Sequence, residues 1–227
     1  LSPAHSLFPH DLARIGPYSP SSRLFLNPLL GDPAAVLGKQ GESAPVAPSD
    51  DGLIDWSAAS ARKYEVLRRL YDHFRQAPSP LRSAFDTFKR EAGPALERHA
   101  RFEARGGDPD YYAFLQWLAD GAFASAQKTA REAGMRIGLI TDLAIGLDPG
   151  GAEVGAAPDA FLAGVRIGAP PDFFNRQGQA LADAHAHGRQ PAAAALATQP
   201  VGERDGEPGA RAAQRVAERD GAAVGVH

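Results

Sequence analysis

Apolar residues recur at three- and four-residue spacing through the middle of this chain and predict three helices. In the first, Tyr64, Leu67, Leu70, Tyr71 and Phe74 share one face, and Asp55 stands where an N-cap belongs. The second starts after Ser79 with Pro80 in the tolerated first turn and carries Leu81, Phe85 and Phe88, and Pro94 ends or kinks it. The third runs from Asp108-Pro109 through Tyr111, Tyr112, Leu115, Leu118 and Ala122 to Gly134, which suits a left-handed C-cap. The period then changes. Met135-Arg136-Ile137-Gly138-Leu139-Ile140 reads as a buried strand with Thr141-Asp142 at its exit. A helix, a glycine, a short apolar strand and a polar exit residue make the αβ unit of a parallel sheet. Carboxyl ends of such strands form the ligand site, which makes Asp142 a candidate on position alone.

Outside this stretch the pattern weakens. Residues 1–33 read as loop, with turn-forming clusters at Ser2–Pro9 and Gly16–Ser22 and a short apolar run, Leu24-Phe25-Leu26, that stops at Asn27-Pro28. Residues 38–50 read as a solvated linker. Residues 146–179 form a Gly/Pro/Asp-rich excursion with a helical piece expected around Asp159–Leu162. A loop of that length is a binding element or disordered. From Ala180 to His227 there is no Phe, Tyr, Trp or Ile. Such a segment buries too little apolar area to offset its ordering entropy. It reads as a disordered tail with a transient helix near Gly209–Asp220.

Composition narrows the function classes. The 227 residues have a net charge of -3 with both signs interspersed, which argues against nucleic-acid or anionic-membrane partners. With no cysteine there is no disulfide framework and no thiolate metal site. No run approaches the roughly 18 apolar residues of a membrane span, and the chain does not open with the basic and apolar regions of a signal peptide. A soluble, cytoplasmic protein is expected. His185 and His187, with His5, His10, His73 and His99, lack metal-ligand spacing and read as incidental. Ser19, Ser21 and Ser22 are not in a nucleophile elbow and read as turn residues. Gly146–Gly155 lacks the phosphate-loop pattern. Asp142, Asp148, Glu153, Asp159 and Asp172 are the best chemical candidates. Retaining glycosyl transfer needs two carboxyl groups about 5–5.5 Å apart, and nothing in the spacing fixes such a pair. A solvated or capping role fits each one singly.

Several segments nevertheless occur in a recognisable order. Leu1-Ser-Pro-Ala-His-Ser-Leu-Phe-Pro9, Pro17-Tyr18-Ser19-Pro20-Ser21-Ser22-Arg23 with Leu26-Asn27-Pro28, Tyr111–Leu118, Gly138-Leu-Ile-Thr-Asp142-Leu-Ala-Ile-Gly146, Gly151-Ala-Glu153 and Gly168-Ala-Pro-Pro-Asp172-Phe173-Phe174 with Gln177-Gly178-Gln179 together resemble the 4-α-glucanotransferases. These are the amylomaltase family of (β/α)8 glycoside hydrolases, and the likeness is to their longer bacterial branch. Gly16 replaces the usual Ser of the S-P-Y-S-P-S-S-R loop. The resemblance implies an enzyme that cleaves an α-1,4 bond in a maltooligosaccharide, holds the glucan on a carboxylate, and transfers it without a cofactor. It implies that Tyr18 packs on the glucose beside the cut bond and that Asp142 binds the same glucose. Asn27 would belong to the substrate loop, and Asp172, Phe173 and Gln179 to a flexible loop over the acceptor side.

The departures carry equal weight. The W-G-x-P segment that follows Gln179 in the family is replaced by Ala180-Leu-Ala-Asp183, and the R-I-D-H strand of the nucleophile does not occur. No catalytic residue is assigned. A whole barrel takes about 250 residues before insertions, so an incomplete (β/α)8 piece with a helical insertion is expected. The expected divisions are 1–37 (first strand exit and substrate loop), 38–133 (helical insertion and barrel helix), 134–179 (barrel strand and acceptor-side loop) and 180–227 (tail unrelated to the family). The composition after Gln179 resembles out-of-frame reading of GC-rich DNA. Two alternatives to the glucan reading therefore stand: an inert decayed gene product, or a helical interaction module built on residues 55–133.

Overall fold

The computed structural model describes residues 1–34, 53–76 and 80–185. The 38–50 linker and the Gly209–Asp220 helix expected from the sequence lie outside the described residues, as does His187. Two short strands come first, β1 (His5–Ser6) and β2 (Ser22–Leu26), then a 3-10 turn at Pro28–Leu30. Three long helices follow: α1 (Trp56–Gln76), α2 (Pro80–Ala104) and α3 (Pro109–Glu132). A short α4 (Ala152–Ala156), a 3-10 turn (Pro158–Ala160), β3 (Phe161–Ala169) and β4 (Gln179–His185) complete the order.

The helices form where the pattern places them, and their ends follow from local chemistry. The Asp55 carboxylate accepts from the Ala58 amide at 2.9 Å, and the Asp108 carboxylate accepts from the Asp110 amide at 3.0 Å, with Pro109 in the first turn. Gly93, directly before Pro94, leaves helical geometry (φ 59°, ψ -151°) and bends α2. At the end of α3, Gly134 takes φ 88°. Its amide bonds to the Arg131 carbonyl, and the Met135 amide bonds to the Ala130 carbonyl. That double closure needs a residue free to enter the left-handed region.

Packing of these helices makes the main core. Leu67, Leu70, Leu96, Phe114 and Leu115 are fully enclosed. Around them Tyr71, Phe74, Phe85, Phe114 and Trp117 form a web of rings with centroids 4.9–6.1 Å apart. The β1–β2 pair seats against this body through Gln116 of α3. Its buried amide accepts from the Leu26 N–H at 2.9 Å and donates to the Leu26 carbonyl at 2.8 Å, as a neighbouring strand would. Phe25 stacks on His99 of α2 at 4.1 Å.

Four expectations need correction. Residues 1–33 are not all loop: His5 pairs with Leu26 and Ser6 with Ser22, antiparallel, with an irregularity between them. Met135–Ile140 is not a buried strand, since Met135, Ile137 and Ile140 are more than half exposed and no strand is assigned there. A parallel strand is buried only when neighbours flank it and both faces are covered. Among the described residues, Leu1 supplies the ladder: its nitrogen donates to the Ile140 carbonyl at 2.8 Å, and its carbonyl accepts from the Asp142 amide at 3.0 Å. Those two bonds have the slant of a parallel pairing. The helical piece near Asp159–Leu162 is instead α4 plus the 3-10 turn, and Phe161-Leu162 opens a strand. Finally, order does not stop at Ala180. β4 pairs antiparallel with β3 from Gln179↔Ala169 to His185↔Phe161. The ladder uses main-chain groups, so an aromatic-free sequence still pairs when a hairpin sets its register.

Candidate functional site

The β1–β2 connection carries a loop whose far side is exposed and whose near side is locked. Tyr18, on the exposed side, is 60% accessible. Its hydroxyl donates to Asp142 Oδ2 at 3.3 Å, which joins two residues 124 positions apart in sequence. Asp142 is itself exposed and is anchored by its amide to Leu1. The pair therefore offers solvent an aromatic face beside a carboxylate.

Beneath it lies a polar plug. Arg23 of β2 donates from Nη2 to Glu153 Oε1 at 3.1 Å, from its amide to Glu153 Oε2 at 2.6 Å, and from Nη1 to the Ile145 carbonyl at 3.3 Å. Ser22 Oγ adds a longer bond to Glu153 at 3.4 Å. Glu153, in the first turn of α4, is buried, and its charge is met by a guanidinium and backbone donors. His5 completes the plug by accepting the Ala144 amide on Nε2 at 3.2 Å. Burial, and then the Arg23 charge, push its pKa below the ordinary 6.5, so it is neutral and able to accept.

The other sequence candidates fall into separate places. Asn27 caps the 3-10 turn, its side chain accepting from the Leu29 amide at 3.1 Å. Asp172 shapes the tip between β3 and β4. Its Oδ1 accepts from the Phe174 and Asn175 amides at 2.8 and 2.6 Å. That tip presents Phe173 and Phe174 at 88% and 94% exposure, edge to face at 5.4 Å. Gln179 opens β4 opposite Ala169. Among the carboxylates, Asp148 pairs with Arg14, Glu153 is taken by Arg23, and Asp159 sits exposed in the 3-10 turn. Asp142 stands beside the open ring of Tyr18. Among the described residues no three His, Cys, Asp or Glu side chains gather as a metal site, and no helix is long and apolar enough to cross a membrane.

Sequence reasoning missed two structural determinants: Arg23, and Glu103 of α2, whose buried carboxyl accepts from the Ser21 hydroxyl at 3.0 Å. Arg23 stood in a quoted motif, and its one visible signal was a lone cation in a Ser/Pro loop. Glu103 left no signal at all, being one acid among many in a helix.

The family model described as 4-alpha-glucanotransferase matches residues 1–110 and 105–182. This chain belongs to the 4-α-glucanotransferase family. Curated 4-alpha-glucanotransferases of Mycobacterium tuberculosis and Mycobacterium bovis are 33% identical over 204 aligned residues, covering 72% of this chain and 28% of theirs. That of Haemophilus influenzae is 33% identical over 85 residues, 37% of this chain and 12% of its own. The crystal structure of amylomaltase from Corynebacterium glutamicum superposes with a TM-score of 0.61 at 30% identity, covering 81% of this chain and 29% of that one. The chain thus spans less than a third of the length of these 4-α-glucanotransferase relatives.

Proposed function

We propose that residues 1–185 supply part of the sugar-binding face of a 4-α-glucanotransferase, an enzyme that moves α-1,4-glucan segments between maltooligosaccharides by a retaining double displacement without a cofactor, in the cytoplasm. The observation that carries this reading is the meeting of Tyr18 and Asp142. A pyranose has an apolar face that covers an aromatic ring and a rim of hydroxyls that donate to a carboxylate. The pair provides both at one point, on a plug that holds its parts in place.

In this reading Tyr18 and Asp142 bind the glucose next to the scissile bond. Asp172, Phe173 and Gln179 serve the acceptor side, with the exposed phenylalanines covering the sugar and keeping water from the intermediate. Asn27 acts indirectly, by shaping the turn after β2. Residues 1–37, 38–133 and 134–179 act as substrate loop, helical insertion and barrel strand with acceptor loop, in an incomplete (β/α)8 arrangement. The R-I-D-H strand of the nucleophile does not occur in this sequence, and in this reading these residues bind glucan without turning it over. The family membership and the seated substrate loop weigh against a decayed product or a helical interaction module.

The test is calorimetric titration of the 227-residue chain with maltotriose, beside an assay for glucose and longer maltooligosaccharides. Weak binding that is lost in Tyr18→Ala and Asp142→Ala, with no products, is expected. Disproportionation would show catalytic carboxylates within these residues, and no binding by the wild type would defeat the sugar-site assignment.

A further inference from the structure

Ser21, three residues after Tyr18, is a junction that uses every polar group it has. Its amide donates to the Ser6 carbonyl of β1 at 2.9 Å, and its carbonyl accepts from the Glu153 amide of α4 at 3.0 Å. Its hydroxyl accepts from the Ala152 amide at 2.9 Å and donates to Glu103 Oε1 at 3.0 Å. The packing is tight on the side of α4, where a Cβ on Gly151 would stand 2.4 Å from the Ser21 carbonyl oxygen. Ser21 is wholly buried, and so is the preceding Pro20, whose carbonyl accepts from the Asp148 amide at 3.1 Å. The loop is therefore pinned at Pro20-Ser21 and free at Tyr18.

Three of the four partners of Ser21 are main-chain groups that any sequence would supply. The fourth is a carboxyl buried to 3% exposure at the end of α2, 82 residues away. Burying a carboxyl in exchange for one hydroxyl is poor stabilisation. A methionine or leucine would pack a helix end at lower cost, so what the carboxyl supplies is direction.

We infer that Glu103 is a positioning residue for the sugar site: from the end of α2 it orients the Ser21 hydroxyl and so fixes the loop that sets Tyr18 against Asp142. This rests on the sugar-site reading above. It also gives the helical layer a part in recognition, because α2 reaches the loop from the core that α1 and α3 complete. Burial lifts the carboxyl to about 7, against the opposing pull of Ser21 and Arg105. The other groups around it are His10, which contacts the Glu103 carbonyl and shares Tyr112, Tyr64 of α1 and Tyr112 of α3, both of which feel its charge. Across neutral pH Glu103 is thus the group that changes its grip on Ser21.

The test uses the whole chain carrying 3-fluorotyrosine, with the Tyr18 fluorine signal assigned by Tyr18→Phe and the Tyr71 signal, from the helical core, reporting the fold. Glu103→Leu should move or broaden the Tyr18 signal, leave that of Tyr71 in place, and weaken maltotriose about tenfold, the worth of one lost hydrogen bond. Glu103→Gln, which still accepts from Ser21, should restore both. In the wild type the Tyr18 signal should titrate with a midpoint near 7, and in Glu103→Gln that step should vanish. An unmoved Tyr18 signal in Glu103→Leu overturns the proposal, as does a step that persists in Glu103→Gln. The fluorine readout needs no sugar. A wild type that shows the Tyr18 response but does not bind maltotriose fails the sugar reading alone.

Discussion

The three-helix layer and the segment from Met135 to Ile145 both carry clustered apolar residues and meet opposite fates. In the helices Leu67, Leu70, Phe114 and Leu115 are fully enclosed, whereas Met135, Ile137, Ile140 and Ile145 are each more than half exposed. A helix satisfies its backbone within itself and asks its neighbours only for an apolar face. A parallel strand needs a neighbour for every backbone group, and here, among the described residues, Leu1 supplies two bonds. Apolarity marks what is fit for burial, and topology decides whether the cover arrives.

The largest effect should come from the covered side. Phe114 has no accessible surface and touches Tyr71, Phe74, Phe85 and Trp117. Phe114→Ala should cost about 3–5 kcal/mol, transfer plus cavity, read as a fall in the thermal or urea midpoint of the helical signal. A loss below about 1 kcal/mol would mean that these helices do not share one cooperative core.

How far this contrast could be read beforehand follows from what each element depends on. Helix periodicity, the Asp55 and Asp108 caps, the Pro94 bend and the Gly134 terminus are local properties, and residues within a few positions set them. The Tyr18–Asp142 meeting was legible only through the resemblance, since no spacing rule relates positions 124 apart. The Arg23–Glu153 pair, the Gln116 amide on β2 and Glu103 on Ser21 were not legible. Each is one polar residue among many, and its role comes from a partner brought up by the fold. Residues 135–140 were misread for a related reason: a buried-strand pattern states what the segment needs, not what surrounds it.

A second test sharpens the comparison within α2, where His99 and Glu103 are both buried and titrate in opposite senses. Burial holds His99 down to about 3 from the ordinary 6.5. Its contribution is therefore present above pH 6.5 and lost as pH falls toward 3. Burial raises Glu103 from 4.5 to about 7, so its contribution is present below pH 4.5 and lost as pH rises through 7. Between pH 4.5 and 6.5 the two slopes oppose, and the pair adds almost no pH dependence. Removing one partner should uncover the other. Glu103→Gln should gain stability as pH rises across that window, and His99→Phe should lose it, each by roughly 3 kcal/mol for one proton over two pH units. Urea midpoints at half-unit steps would show it, and parallel profiles in the two variants would refute opposed titration. His99→Phe should also be well tolerated at neutral pH, because it removes a buried Nδ1 that has no partner among the described residues and keeps the stack on Phe25.

The smallest effect belongs to the uncovered side. Ile140 is 65% exposed although its carbonyl is held by Leu1. Ile140→Thr keeps the β-branched shape and gives up mostly surface that water already wets. Stability should therefore change by no more than about 0.5 kcal/mol, while self-association should fall, because an apolar segment beside a single paired residue is a template for another chain. Light scattering at rising protein concentration, beside the melting midpoint, separates the two quantities. A loss of 2 kcal/mol or more would mean that Ile140 is buried in solution, and that the 135–145 segment finds a cover that the contrast with the helices denies it.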